Sequence, residues 1–420
     1  MPLIAIVNAT VIDGAGKRTQ GATVVVEGER ILRVGPGAPP ADARVIDGTG
    51  CSVMPGMFSS HYHASYRMVG QAGLPIGMEG SPGLLTLRGA HNMGLALDGG
   101  FTSVISAGVP HAVDASLKQA IEEGIMRGPR IMVGSRDVST TGHSQDTYMR
   151  WHWQAGEHPG ALVCDGPEAF RKGVRTEIKR GAEIIKIFAS VGHSVRGKYG
   201  LMELSREELK AAIDAAHERG VKVRTHIANK PAIRMALELG MDVIDHGDGL
   251  DDELIAMMVE RGAFLVPSCF HPYRALPIRS GPHAEIMKQD MEAMLAILPK
   301  AQAAGVKILV GDDFGTLTLE HGEYGKELGF YVEHAGVSPS DVISWATRNG
   351  ADLMGMAGEL GDVRPGMLAD LLIVKGDPVA DITLLGDPGN ILLVMKNGQV
   401  EKNLMAERPV RVTPQQLVDA

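Results

Sequence analysis

Strand-like and helix-like stretches alternate through the middle of this chain, and that repetition constrains the fold more than any single residue does. Apolar runs that read as strands occur at 101–108 (FTSVISAG), 129–135 (PRIMVGS), 183–190 (EIIKIFAS), 221–228 (VKVRTHIA), 242–247 (DVIDHG), 263–270 (AFLVPSCF) and 307–314 (KILVGDDF). The stretch MPGMFSSHYH adds an eighth, ahead of the others. Amphipathic helical segments separate most of them. SREELKAAIDAAHERG (205–220) is the clearest, with a Ser-x-x-Glu capping box at its start and Gly at its end. Eight βα units in series predict an α/β fold, a (β/α)8 TIM barrel, whose chemistry gathers at the C-terminal ends of the strands.

The two ends of the chain have another texture, short alternating strands joined by tight turns. LIAIVNATVID, ATVVVEGERILRVG and ARVIDGTG come first, and GDVRPGMLADLLIVKGDP and ILLVMKNGQV return to the pattern. Glu27-Gly28 and Asn397-Gly398 lie between apolar runs, as hairpin turns do. The expectation is a small β-sandwich domain built from residues 1–55 and 360–420 around a barrel of residues 56–359. Residues 137–166 carry no clear period and read as a lid or pocket wall, with Trp151 and Trp153 either stacking on a substrate ring or pinning the loop.

Charge narrows the list of partners. With 41 basic and 50 acidic residues the formal net charge is −9, which argues against nucleic acid or an anionic membrane surface. No apolar run approaches the roughly 18 residues of a membrane span. The N-terminus lacks the basic and apolar regions of a signal peptide. Cys51, Cys164 and Cys269 are scattered without a paired spacing, which suits a reducing, cytoplasmic setting.

Polar residues that interrupt apolar strands need a reason. His61 and His63 point to one face if the chain is extended, so their rings can share a metal ion. Lys186 stands among Ile184, Ile185, Ile187 and Phe188, where an ammonium is costly unless paired or modified. It either forms a salt bridge at the strand end or carries a CO2-derived carbamate, whose two oxygens could bridge two cations. His226 and His246 end consecutive strands, and Asp313 closes the last one. A carboxylate there can bind a metal and shuttle a proton. Asp312 lies on the other face and reads as structural. The six fall at strand ends that one barrel mouth can gather.

These same pieces (MPGMFSSHYH, EIIKIFAS, VRTHIA, VIDHG and LVGDDFG) together with GDVRPGMLADLLIVKGDP make the chain resemble the amidohydrolase superfamily over nearly its whole length. Within it the chain looks most like the prolidase-like branch of Xaa-Pro and Xaa-Arg dipeptidases and N-acyl-amino-acid or mycotoxin amidases. The resemblance implies two divalent metal ions, zinc by preference. His61, His63 and Asp313 would hold the more buried one, His226 and His246 the other, and carboxylated Lys186 would bridge them. Two departures stand out. Ser59-Ser60 replaces the Asp that usually precedes His-x-His, and the last strand reads Gly-Asp-Asp, which leaves Asp312 as an alternative to Asp313.

The expected reaction is hydrolysis of an amide in a dipeptide or N-acyl amino acid, a metal-bound hydroxide attacking the carbonyl and Asp313 passing a proton to the leaving amine. Ureas, carbamates, aryl amides and organophosphate esters are alternatives on the same site. A mononuclear deaminase is the remote one, because His226-Ile227-Ala228-Asn229 lacks the Glu of that class. The resemblance points to His143 and Tyr199 as substrate contacts, and Arg196 or Lys198 could hold a substrate carboxylate. His193 and His271 rank lower. A homo-oligomer is implied by the look-alikes alone.

Overall fold

The computed structural model describes residues 3–69, 76–150, 152, 158–192, 201–316 and 318–405. The chain ends do pair. Leu3–Ile12, Arg18–Glu27, Arg30–Gly35, Arg44–Asp47 and Cys51–Pro55 join Leu371–Lys375, Ile391–Lys396 and Gln399–Asn403 in one mixed sheet of eight strands. The seam is antiparallel, with Met54 opposite Leu372 and Val53 opposite Ile373. Both hairpins close with two-residue turns, Glu27 facing Arg30 and Lys396 facing Gln399. Asn397 and Gly398 take φ of 48° and 72°, the left-handed pair that a tight hairpin needs.

The strands at the seam are buried on both faces, so their sequences are continuously apolar rather than alternating. Val53, Leu371, Ile373, Leu393 and Met395 pack with Ile6, Val24 and Ile31 in a core made from the chain ends alone. Met54, Leu372, Val374 and Val394 point the other way, into the large core shared with the helices.

The middle of the chain forms parallel sheets covered by helices. Met57–Tyr62, Phe101–Ser106 and Arg130–Met132 make a sheet of three. The sheet of seven runs Ala161–Val163, Asp137–Ser139, Ile184–Phe188, Lys222–Ile227, Val243–His246, Phe264–Val266, Lys307–Ile308. Gly134 bridges to Ile184 on one side of the gap between the sheets, and on the other Ser60 N donates to Val310 O at 2.8 Å. The expected segments are found, each shorter than its apolar run. The segment 137–166 differs from expectation: it contributes two strands, Asp137–Ser139 and Ala161–Val163. Three residues are too few for a period of two to show.

The capping box is present at Arg206–His217. Ser205 Oγ accepts from Glu208 N, and the Glu208 carboxylate accepts from Ser205 N at 2.8 Å. That helix buries Leu209, Ala212, Ile213 and Ala216. No helix among the described residues is long and apolar enough to cross a membrane.

Candidate metal centre

Met57–Tyr62 has all six residues buried, His61 among them at 1% exposure. His63 follows just past the strand, and the two rings lie 5.1 Å apart. Its Nδ1 is 2.8 Å from Gly108 O. A carbonyl only accepts, so Nδ1 carries the proton and a neutral ring turns the Nε2 lone pair the other way. That Nε2 lies 3.2 Å from Asp313 Oδ1, and His61 Nε2 lies 3.1 Å from the same oxygen. The ligand atoms of His61, His63 and Asp313 all fall within 4.8 Å of one another. Electron pairs converging on one point are what a divalent cation satisfies.

His226 and His246 stand beside this group. Their rings are 4.4 Å apart, and His246 is 5.2 Å from His61. His226 stacks on Phe188 at 4.6 Å and donates Nε2–H to Gly192 O at 3.0 Å. The register explains the gathering, since Phe188 pairs with His226 and Ile227 with His246 across neighbouring strands. His246 has φ of 69°. A bulky residue in the left-handed region costs about 1–2 kcal/mol, and such strain tends to collect at functional sites.

Lys186 does what the sequence left open. Its Nζ donates to Asp245 Oδ2 at 2.6 Å, with 2% and 0% of the two side chains exposed. Asp245 also takes two hydrogen bonds from Arg224, at 2.5 and 3.0 Å, and the rest of that guanidinium donates to Ser60 O and Ser106 O. Burial pushes the Asp245 carboxyl up, but Arg224, Lys186 and His61 more than offset it and hold it well below the usual range. Burial lowers Lys186, and Asp245 opposes that shift. Asp313 follows Asp245: burial raises it, and His61, His63 and His246, where their rings donate to it or carry a proton in place of an ion, bring it well below an ordinary carboxylate.

Arg224 and Asp245 were missed from the sequence, although each interrupts an apolar strand as Lys186 does. Asp312 is fully buried and accepts the backbone N–H groups of His271 and Asp313. His271 is itself buried. His143 lies after Asp137–Ser139 with its side chain 34% exposed and Nδ1 3.0 Å from Glu203. Tyr199, Arg196, Lys198, His193, Trp151 and Trp153 lie outside the described residues.

The model of the amidohydrolase family matches residues 52–400. The chain belongs to the amidohydrolase family. It is thus a metal-site hydrolase of C–N bonds by descent, and its relatives match the prolidase-like branch. Ochratoxinase of Aspergillus niger is 27% identical over 417 residues, covering 93% of this amidohydrolase and 85% of that enzyme. The structure of a prolidase complexed with N-methylphosphonate-L-proline has a TM-score of 0.84 at 29% identity, covering 96% of this chain and all of that one. A Xaa-Pro dipeptidase with methionine bound in its active site has a TM-score of 0.84 at 28% identity, with the same coverage.

Proposed function

We propose that this amidohydrolase cleaves the amide bond of a dipeptide or N-acyl amino acid with two divalent metal ions, zinc by preference. The observation that carries the reading is the convergence of His61, His63 and Asp313 on one point, with His226 and His246 next to it. The similarity to a prolidase and to ochratoxinase supports the substrate class. In this reading His61, His63 and Asp313 would hold the first ion, and His226 and His246 would hold the second. Lys186, freed from Asp245 as the neutral amine, would add to CO2 with loss of a proton and join them as the carbamate, while Arg224 stays on Asp245. Bound ions would supply Lewis acidity and a water acidified toward neutral pH.

The chain's own residues do the rest. Gly108 O fixes the tautomer of His63. Asp313 is 20% exposed where His61 is 1%, so its carboxylate is the group of the set that reaches substrate and moves a proton to the leaving nitrogen. His143, Tyr199 and Arg196 bind the substrate, Arg196 donating to the substrate's carboxylate. The two parallel sheets close into one (β/α)8 barrel over residues 56–359, supported by the Gly134–Ile184 bridge and the Ser60–Val310 hydrogen bond. Residues 1–55 and 360–420 form the β-sandwich domain, supported by a core that draws on the chain ends alone. A cytoplasmic homo-oligomer acting on a small molecule completes the reading.

One observation favours a second reading. Lys186 bound to Asp245 would leave one three-ligand group among the described residues, as a mononuclear hydrolase would have. Metal content of the wild type and of Lys186→Ala, each assayed on dipeptides and N-acyl amino acids, separates the two. About two ions per chain, lost with activity in the variant, is the result expected. One ion retained in the variant overturns the bridged site.

A further inference from the structure

Glu203 is a carboxylate with no exposed side-chain surface and few partners. Its Oε1 faces His143 Nδ1 at 3.0 Å and accepts weakly from Ser144 N at 3.4 Å. Its Oε2 is buried and has no hydrogen-bond partner among the described residues. Burial raises the Glu203 carboxyl against the pull of His143. A half-satisfied buried carboxylate costs stability, and an apolar side chain of similar size would pack there at lower cost.

The backbone around Glu203 is anchored at both ends of a short path. Past the strand Ile184–Phe188 the chain folds back on itself: Val191 N donates to Leu201 O, Ser190 bridges to Met202, and Glu203 N donates to Ala189 O. Glu203 is thereby held on the extension of the strand that carries Lys186. Its carbonyl accepts from Thr140 Oγ1 at 2.6 Å. The loop 140–144 is tied to the scaffold at Thr140, His143 and Ser144, and Ser144 takes φ of 48° to make the turn.

We propose that Glu203 is the positioning residue for His143. Its carboxylate accepts the Nδ1–H, which sets the ring's orientation and tautomer and leaves Nε2 as the atom that meets substrate. Because Glu203 is fastened to the lysine strand, it holds the His143 ring in a fixed place relative to the metal ligands. The inference rests on the amide-hydrolase reading of the site.

The test is a cycle of Glu203→Gln, His143→Ala and the double variant, with kcat, KM and metal content for the best amide substrate of the panel. A proton NMR experiment on histidine-labelled protein follows the His143 Nδ1–H. Glu203→Gln should lower kcat/KM about ten- to a hundredfold, the worth of one hydrogen bond to a charged group. Metal content should not change, and no further loss should appear in the His143→Ala background. The Nδ1–H resonance, identified by its absence in His143→Ala, should shift in Glu203→Gln. An unchanged kcat/KM, an equal loss in both backgrounds, or an unmoved resonance overturns the proposal. Should Glu203→Gln not fold, Glu203→Asp takes its place, since its shorter carboxylate withdraws from Nδ1 and the same outcomes decide. If the wild type hydrolyses no amide, the reading of the site has failed. The resonance then decides the pairing alone: a shift in Glu203→Gln upholds it, and no shift overturns it.

Discussion

Lys186 and Asp245 form an ion pair closed to water, Nζ to Oδ2 at 2.6 Å, and Arg224 binds the same carboxylate from the other side. Two cations on one anion in an apolar interior stand or fall together. Removing the anion leaves both cations without compensation, which costs about 3–5 kcal/mol for a broken buried pair. In metal-free protein, where Lys186 keeps its amine, Asp245→Asn should therefore lower the urea midpoint sharply, and more than Lys186→Met, which removes the buried ammonium along with its partner bond. Equal midpoints for Asp245→Asn and wild type would mean that the network adds nothing to stability.

Asp313 is where a charge can be removed with little change of shape. Asparagine keeps an oxygen that can face His61 and His63, 3.1 and 3.2 Å away, but it cannot accept a proton at neutral pH. Asp313→Asn should lose about 10²–10⁴ in kcat with a smaller change in KM, the usual worth of a general acid–base group. A loss confined to KM would make Asp313 a substrate contact and not a proton shuttle.

Much of this arrangement is legible in the sequence because each functional residue breaks an apolar run. Lys186, His226 and His246 stand out inside strands of isoleucine and valine, and the Ser205 capping box marks its helix without any tertiary information. What stayed hidden depends on register. Lys186 lies opposite Arg224, and His226 opposite Asp245, only once the parallel strands are aligned. Nothing local in VRTHIA or VIDHG says that the arginine and the aspartate are each other's partners. Asp137–Ser139 was hidden for another reason, since a strand of three residues has no period to detect. The chain-end strands were legible as a pairing set, whereas their union in one eight-stranded mixed sheet follows from hydrogen bonds between residues more than 300 positions apart, such as Ser52 and Val374.

Gly311 presses against the first histidine from behind. It has φ of 142°, and a Cβ there would lie 2.2 Å from His61 N and 2.7 Å from Ser60 N. Neither backbone atom can move without carrying the His61 strand with it. Gly311→Ala should push His61 out of line with Asp313 and destabilise the fold by at least about 1–3 kcal/mol, the range for overpacking. Metal content per chain is the measurement. Full occupancy with an unchanged melting temperature would show that the close approach does not matter.

Asp114 makes a pH prediction that does not depend on the metal ligands. It is fully buried, and burial pushes its carboxyl up to about 7, with the backbone N–H groups of Gly134 and Ala115 and the Ser106 hydroxyl pulling it back only in part. An unfolded aspartate titrates near 3.9. The folded state thus binds a proton that the unfolded state releases between those two values. The stabilisation is fully present below pH of about 4 and is lost as pH rises to about 7, by up to ~4 kcal/mol in total. Asp114→Asn cannot titrate, whatever its hydrogen bonds cost, so the offset between variant and wild type is uninformative and the slope decides. Urea unfolding at pH 5, 6, 7 and 8 should show the variant gaining on the wild type by about 1.4 kcal/mol per unit up to pH of about 7 and then levelling off. A difference that stays constant across the series would mean that Asp114 is ionised in the folded protein throughout, its charge held by the donors around it.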